Sequence, residues 1–249
     1  MRLLINADDF GISESVNHAI DYCFNNNIIQ RTTILVNMDS SDSAVALSKE
    51  HGYADKVGLH LNLIEGTPLT ELIKNTIFCT NGVFNGQALR NQRNRFLLDK
   101  QVQNAVKCEL RAQIEKYIGY GFTLYHIDSH EHTHTNPSIF KLLCPLIGEY
   151  GFLSVRLSRN IPEDEITGLK SMYKNVFNKK VRKLNKYDQG SQWHVAYFGS
   201  QSDVEKILGD PNYKIAKIEV ETHPVFENDR LIDAISSLGI EEWISHIRV

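Results

Sequence analysis

The chain has 249 residues, a formal net charge of -3, 42% hydrophobic and 23% charged residues. That length buries a sizeable core and suits one α/β barrel or two small domains, and the near-neutral charge argues against a nucleic-acid partner, which would draw a basic face. No run approaches the roughly 18 apolar residues of a membrane span, Asp8 and Asp9 come too soon after Met1 for a secretory signal, and Cys23, Cys79, Cys108 and Cys144 form no CxxC pair, so the expectation is a soluble cytoplasmic protein.

Arg2 to Ala7 reads as a short buried strand. After Gly11 a helix is predicted with Ser13 as N-cap and Ile12, Val16, Ala19, Ile20, Cys23 and Phe24 at helical spacing, ended by Asn25, Asn26 and Asn27. A β-branched run at Thr32 to Val36, a capped polar segment from Asp39 to Lys49 and a strand at Lys56 to Leu63 follow. Ile64 to Arg95 loosens into Gly, Asn and Thr, the pattern of a surface excursion. Val102, Ala105, Val106, Leu110, Ile114, Tyr117 and Ile118 mark one face of a long helix that Gly119 and Gly121 close. The remaining elements read as a strand at Phe122 to Ile127, a helix at Ser138 to Tyr150, strands at Leu153 to Leu157 and Lys214 to Thr222, and a helix around Leu231 to Leu238. Repeated strand–helix alternation predicts a parallel sheet with helices outside, closed or nearly closed into one (β/α) barrel domain over 1–249. The basic run from Lys174 to Lys186 reads as a solvated helix face.

In a parallel barrel the active site lies at the C-terminal ends of the strands. Four such ends carry chemistry: Asp8 and Asp9, His60 and Asn62, Asp128 to His134, and Glu221 with His223. The densest is His126-Ile127-Asp128-Ser129-His130-Glu131-His132-Thr133-His134, whose alternate residues share a face if the chain is extended. His130 to His134 also matches HExxH, but that zinc motif requires a helix, and Pro137 places the helix start after it. One residue from each of three strand ends gives Asp9, His60 and His130, a carboxylate and two imidazoles that leave positions of a divalent metal open for catalysis. Such an ion acidifies water and polarises a carbonyl, so hydrolysis of an amide or ester follows. Asp8 then serves as general base and His223 as general acid. Adjacent aspartates share one site only if the chain turns, and Phe10-Gly11 is the expected turn.

Asn6-Ala7-Asp8-Asp9-Phe10-Gly11, Gly58-Leu59-His60-Leu61-Asn62-Leu63, His126-Ile127-Asp128-Ser129-His130 and Thr222-His223-Pro224 together resemble the YdjC-like carbohydrate deacetylases, a family that includes chitooligosaccharide deacetylases. The resemblance spans nearly the whole chain. It implies a distorted barrel related to the polysaccharide deacetylase fold, a divalent metal and removal of acetyl from an N-acetylated sugar. By position, Asp9, His60 and His130 fall on the family's metal ligands, Asp8 on its base and His223 on its acid. Arg156 resembles a basic residue near the family's site, where either substrate contact or an ion pair to Asp8 or Asp128 accounts for it; Asp128 is expected beside a ligand histidine, and His132 either near the substrate or behind the metal ligands. Glu131 receives no role.

The expected activity is therefore metal-dependent deacetylation of an N-acetylglucosamine-containing mono- or oligosaccharide, such as diacetylchitobiose. Its rivals keep the metal site but hydrolyse a phosphoester or a non-sugar amide, or bind sugar or metal without turnover. Imidazole ligands favour zinc, cobalt or nickel, whereas the resemblance implies magnesium. A homodimer is implied by the resemblance alone.

Overall fold

The computed structural model describes residues 1–162, 168–185, 195–214 and 216–247. In chain order they form β1 (Arg2–Phe10), α1 (Glu14–Asn25), β2 (Arg31–Ile34), α2 (Ser41–Glu50) and β3 (Val57–Leu61). An excursion then carries α3 (Glu71–Lys74), β4 (Cys79–Thr80), β5 (Val83–Phe84) and α4 (Gln92–Phe96). Next come α5 (Lys100–Gly119), β6 (His126–Ser129), α6 (Pro137–Glu149), β7 (Ser154–Val155) and α7 (Gly168–Leu184). The chain finishes with β8 (Tyr197–Ser200), α8 (Gln201–Ile207), β9 (Lys217–Thr222), β10 (Pro224–Glu227), β11 (Arg230–Asp233) and α9 (Ile240–Ile247).

Seven strands make one sheet in the order β7-β6-β3-β2-β1-β9-β8. All six neighbouring pairs are parallel. Helices cover the outer face, so β3 is buried along its whole length and reads as an apolar run rather than an alternation. The sheet is curled into a barrel that β7 and β8 do not close by strand pairing. Instead the chain leaving β7 bridges the gap: Asn160 N donates to Phe198 O at 3.1 Å, and Phe198 N donates to Asn160 Oδ1 at 2.8 Å.

Local chemistry accounts for the helix starts. Ser13 Oγ accepts from Val16 N at 3.3 Å to cap α1, and Pro137 opens α6, where a missing N–H costs nothing. From α5, buried Glu109 and Gln113 reach out to hold the excursion. Glu109 accepts from Leu69 N and Thr70 N, and Gln113 exchanges bonds with both backbone groups of Asn62.

Two expectations are corrected. The strand predicted from Phe122 begins only at His126, because His126 N donates back to Leu124 O at 2.7 Å and Tyr117 Oη donates to the same carbonyl. The helix predicted around Leu231 to Leu238 is instead the second strand of the β10–β11 hairpin up to Asp233, followed by a turn. The hairpin's own turn residues, Asn228 and Asp229, have φ of 49° and 60°, the left-handed pair that a tight hairpin demands. Ile235, within the range predicted as helix, is 74% exposed. The basic run lies on α7, with Lys186 outside the described residues.

Candidate active site

The two aspartates are brought to one mouth by a backbone irregularity. Pairing of β1 with β2 shifts register between Ala7 and Phe10, and Asp9 itself adopts φ 66°. Left-handed backbone is strained for a residue with a Cβ, and Asp is among the few that tolerate it. The turn thus sits at Asp9, one residue before the expected Phe10-Gly11. Gly11 is needed for the next step: its φ is 93°, and a Cβ there would lie 3.0 Å from Leu35 O and 3.2 Å from Ser41 Cα.

Asp9, His60 and His130 converge. Asp9 Oδ1 lies 2.8 Å from His130 Nδ1 and 3.2 Å from His60 Nε2, and one donor atom from each residue falls within 4.8 Å of the others. The other nitrogen of each imidazole is held by a second carboxyl. His60 Nδ1 faces Asp128 Oδ1 at 2.6 Å, and His130 Nε2 faces Glu65 Oε1 at 2.8 Å. Asp128 is in turn fixed by Thr33 Oγ1, which donates to its Oδ2 at 2.9 Å. Burial opposes charge on both rings, yet Asp128 drives His60 up to about 10, and Asp9 with Glu65 drives His130 up to about 9. A carboxylate and two carboxylate-oriented imidazoles in this spacing fit a divalent ion, which would replace those ring protons. Glu65 is a residue the sequence did not single out. It rides the loop that Asn62 organises: Asn62 Oδ1 accepts from Ile64 N and Glu65 N, and its Nδ2 donates to Glu65 O.

Arg156, 1% exposed, is the hub beneath this set. Its Nη1 and Nη2 donate to Asp8 Oδ2 and Oδ1 at 2.5 and 2.7 Å, Nη2 lies 2.7 Å from Asp128 Oδ2, and Nε donates to Glu219 Oε1 at 2.6 Å. Burial favours a neutral Asp8, but the guanidinium holds its carboxyl well below the usual carboxylate range. The ion pair is thus the contact Arg156 makes. Asn6, beside it on β1, donates to Asp8 Oδ1 at 2.7 Å and accepts from Arg31 Nε at 2.6 Å.

His223 enters from the end of β9. Its backbone N donates to Asp233 Oδ2 at 2.7 Å, and its Nδ1 lies 3.4 Å from the same oxygen. Burial opposes its charge, but Asp233, then Asp8, Asp9 and Glu221, push it up to about 9. A His223 nitrogen, an Asp8 oxygen and a Glu221 oxygen lie within 4.8 Å of one another.

The histidine row does not stay on one face, because β6 ends at Ser129. A 3-10 turn follows from His130 to Thr135, with Glu131 and His132 at φ 47° and 53°, so HExxH is not helical here. His132 Nε2 stands 3.4 Å from Glu221 Oε2, and its ring packs edge-on to Phe198. His134 turns away from the mouth: its Nδ1 pairs with Ser129 Oγ at 2.6 Å, and burial pushes it down to about 3. His126 sits deeper in the barrel, against Ser154 Oγ at 2.8 Å.

Among known proteins, the chain is 29% identical over 240 residues to a carbohydrate deacetylase of Clostridium beijerinckii, covering 95% of this chain and 86% of the relative. It is 31% identical to a chitooligosaccharide deacetylase of Proteus mirabilis, covering 92% and 83%. A carbohydrate deacetylase of Brevibacillus brevis is 37% identical over 150 residues, 60% of this chain and 57% of that one. Among solved structures, a candidate cellobiose-phosphate cleavage protein of Enterococcus faecalis superposes with a TM-score of 0.66 at 20% identity, covering 91% of this chain and 82% of that one, which bears on the fold. Residues 2–246 match the family model described as YdjC-like protein, and the chain belongs to that family.

Proposed function

We propose that this protein is a metal-dependent deacetylase of N-acetylated sugars, with N-acetylglucosamine-containing mono- or oligosaccharides as substrates and acetate as a product. The observation that carries the proposal is the Asp9–His60–His130 donor set beside a buried ionised carboxyl, Asp8, an oxygen of which lies within 4.8 Å of a nitrogen of the charged imidazole His223. The names of the relatives supply the sugar and the acetyl group.

Asp9, His60 and His130 would hold a divalent ion, which when bound would supply Lewis acidity, lowering the pKa of water and polarising a carbonyl oxygen. Asp128 and Glu65 fix the two rings so that one nitrogen of each stays directed at that position. Arg156 keeps Asp8 ionised, so a proton acceptor, though a weak one, is present throughout the neutral range. His223 carries its proton at neutral pH and delivers it to the departing sugar nitrogen, which leaves as an amine. Asp233 holds the His223 ring and compensates its charge.

Two imidazoles beside one carboxylate favour zinc, cobalt or nickel over magnesium. Acetate release from diacetylchitobiose, measured with and without chelator and after addition of each metal, tests the proposal. Activity that a chelator leaves untouched removes the metal from it, and release of no acetate from any N-acetyl sugar overturns it.

A further inference from the structure

Glu221 is a buried carboxyl that the mechanism above does not use. It closes β9 one residue before Thr222 and is 8% exposed. Its Oε2 is out of water but makes no hydrogen bond with any described residue. The neighbouring side-chain nitrogens are His132 Nε2 at 3.4 Å and Arg156 Nη1 at 4.0 Å, and neither forms a hydrogen bond with it. Arg156 has stronger partners in Asp8, Asp128 and Glu219. An unpaired buried acceptor is costly, and retaining one beside reacting groups makes sense if a ligand supplies the missing donor.

Position limits what that donor is. A Glu221 oxygen lies within 4.8 Å of both the His223 nitrogen and the Asp8 oxygen. An atom that His223 protonates sits within hydrogen-bond reach of it, about 3 Å. The same atom, placed between the two side chains, is in reach of Glu221. In an N-acetyl sugar that atom is the amide nitrogen, which already carries one hydrogen before His223 protonates it; in an O-acetyl sugar it is an ester oxygen, which carries none until then.

We infer that Glu221 accepts a hydrogen bond from the substrate's amide N–H and thereby selects N-acetyl over O-acetyl sugars. The inference rests on the proposed deacetylation and adds a specificity residue to it. A site built to accept from an N–H leaves its own buried acceptor unpaired when an ester occupies it, which is the stronger kind of discrimination.

The test compares two substrates on one scaffold, a disaccharide bearing 2-acetamido and its analogue bearing 2-O-acetyl. Glu221→Leu removes the acceptor at similar volume, and Glu221→Gln removes the charge but keeps an acceptor oxygen. The Leu variant is expected to lose about tenfold or more in kcat/KM on the amide and less than about threefold on the ester, the scale of one buried hydrogen bond. The Gln variant is expected to stay within about fivefold of wild type on the amide, since its carbonyl can still accept. Equal losses on both substrates, or a Gln variant as impaired on the amide as Leu, would show a counter-ion for His223 and overturn the inference. Should the Leu variant fail to fold in a thermal melt, the Gln result decides by itself. A wild-type protein inactive on the amide sinks the deacetylase proposal first, an outcome distinct from an active wild type whose variants do not separate the substrates.

Discussion

Asp233, on the β10–β11 hairpin that follows β9, lies 3.4 Å from His223 Nδ1 through the same oxygen that caps the His223 backbone N–H. Its other oxygen accepts from Ile235 N and Ser236 N. One carboxyl therefore places the imidazole and stabilises its charged form. If His223 is the proton donor, activity is complete while the ring is protonated and falls as pH rises through about 9. Asp233→Asn keeps an acceptor for the backbone but not the charge, so the alkaline limb should move toward acid by about one pH unit. A pH–rate profile whose alkaline limb is unmoved removes Asp233 from this role. His223→Ala should lower kcat by about a hundredfold or more while titration calorimetry still detects the metal.

Metal binding should be a proton-releasing event. Without an ion, His60 and His130 are pushed up to about 10 and about 9, so both rings are charged at neutral pH. A cation binds the neutral rings and must expel those protons, so affinity rises with pH. Calorimetry at pH 7 in two buffers of different ionisation enthalpy should return about two protons released per ion. A heat independent of the buffer contradicts this. His60→Ala and His130→Ala should abolish binding, and Asp128→Asn should weaken it by about 10- to 100-fold through the lost orientation of His60.

Arg156 should behave as a structural cation. Replacing it with Met leaves Asp8, Asp128 and Glu219 buried without their shared partner, at a cost of about 3–5 kcal/mol. Arg156→Lys should not restore it, because a single ammonium cannot serve three carboxyls in fixed directions. Denaturant unfolding reads the loss, and a variant of normal stability with only a raised KM would point to substrate contact instead. Burial opposes ionisation of Asp8 and Asp128, but Arg156 holds both below the ordinary 3.8. Their folded-state values are the lower ones, so their contribution to stability is complete above about pH 4 and is lost on acidification below it.

Much of the fold was legible because the sheet is parallel and covered on both faces: apolar runs followed by helical spacing locate β1, β3, α1, α5 and α6. The site was legible for a related reason, since polar residues just past a buried run must lie at the mouth, as Asp8, Asp9, His60, His130 and His223 do. Other features left weaker traces. Strand β8 carries only Tyr197–Ser200, too few residues to show a period. The β10–β11 hairpin was missed in favour of a helix around Leu231 to Leu238, although Asn228-Asp229 is a turn signal. Glu65 and Asp233 lie in or beside loops, where the sequence gives no direction for a side chain; only the contacts of Asn62, Gln113 and His223 explain why they point at the site. The alternation assumed for His126 to His134 failed at Ser129, beyond which the backbone is no longer extended.

Asp9 offers a way to separate backbone strain from chemistry. Its φ of 66° is tolerated by Asn as well as by Asp. Asp9→Asn should therefore keep the fold, with a stability change within about 0.5 kcal/mol, while removing the anionic ligand and lowering the charge on both neighbouring imidazoles. Asp9→Val, by contrast, places a β-branched side chain in the left-handed region and should cost about 1–3 kcal/mol in stability. Paired measurements of melting and metal affinity distinguish the two variants: loss of metal with unchanged stability is expected for Asn, and loss of both for Val. An Asn variant that binds metal as tightly as wild type would show that Asp9 shapes the mouth but does not hold the ion.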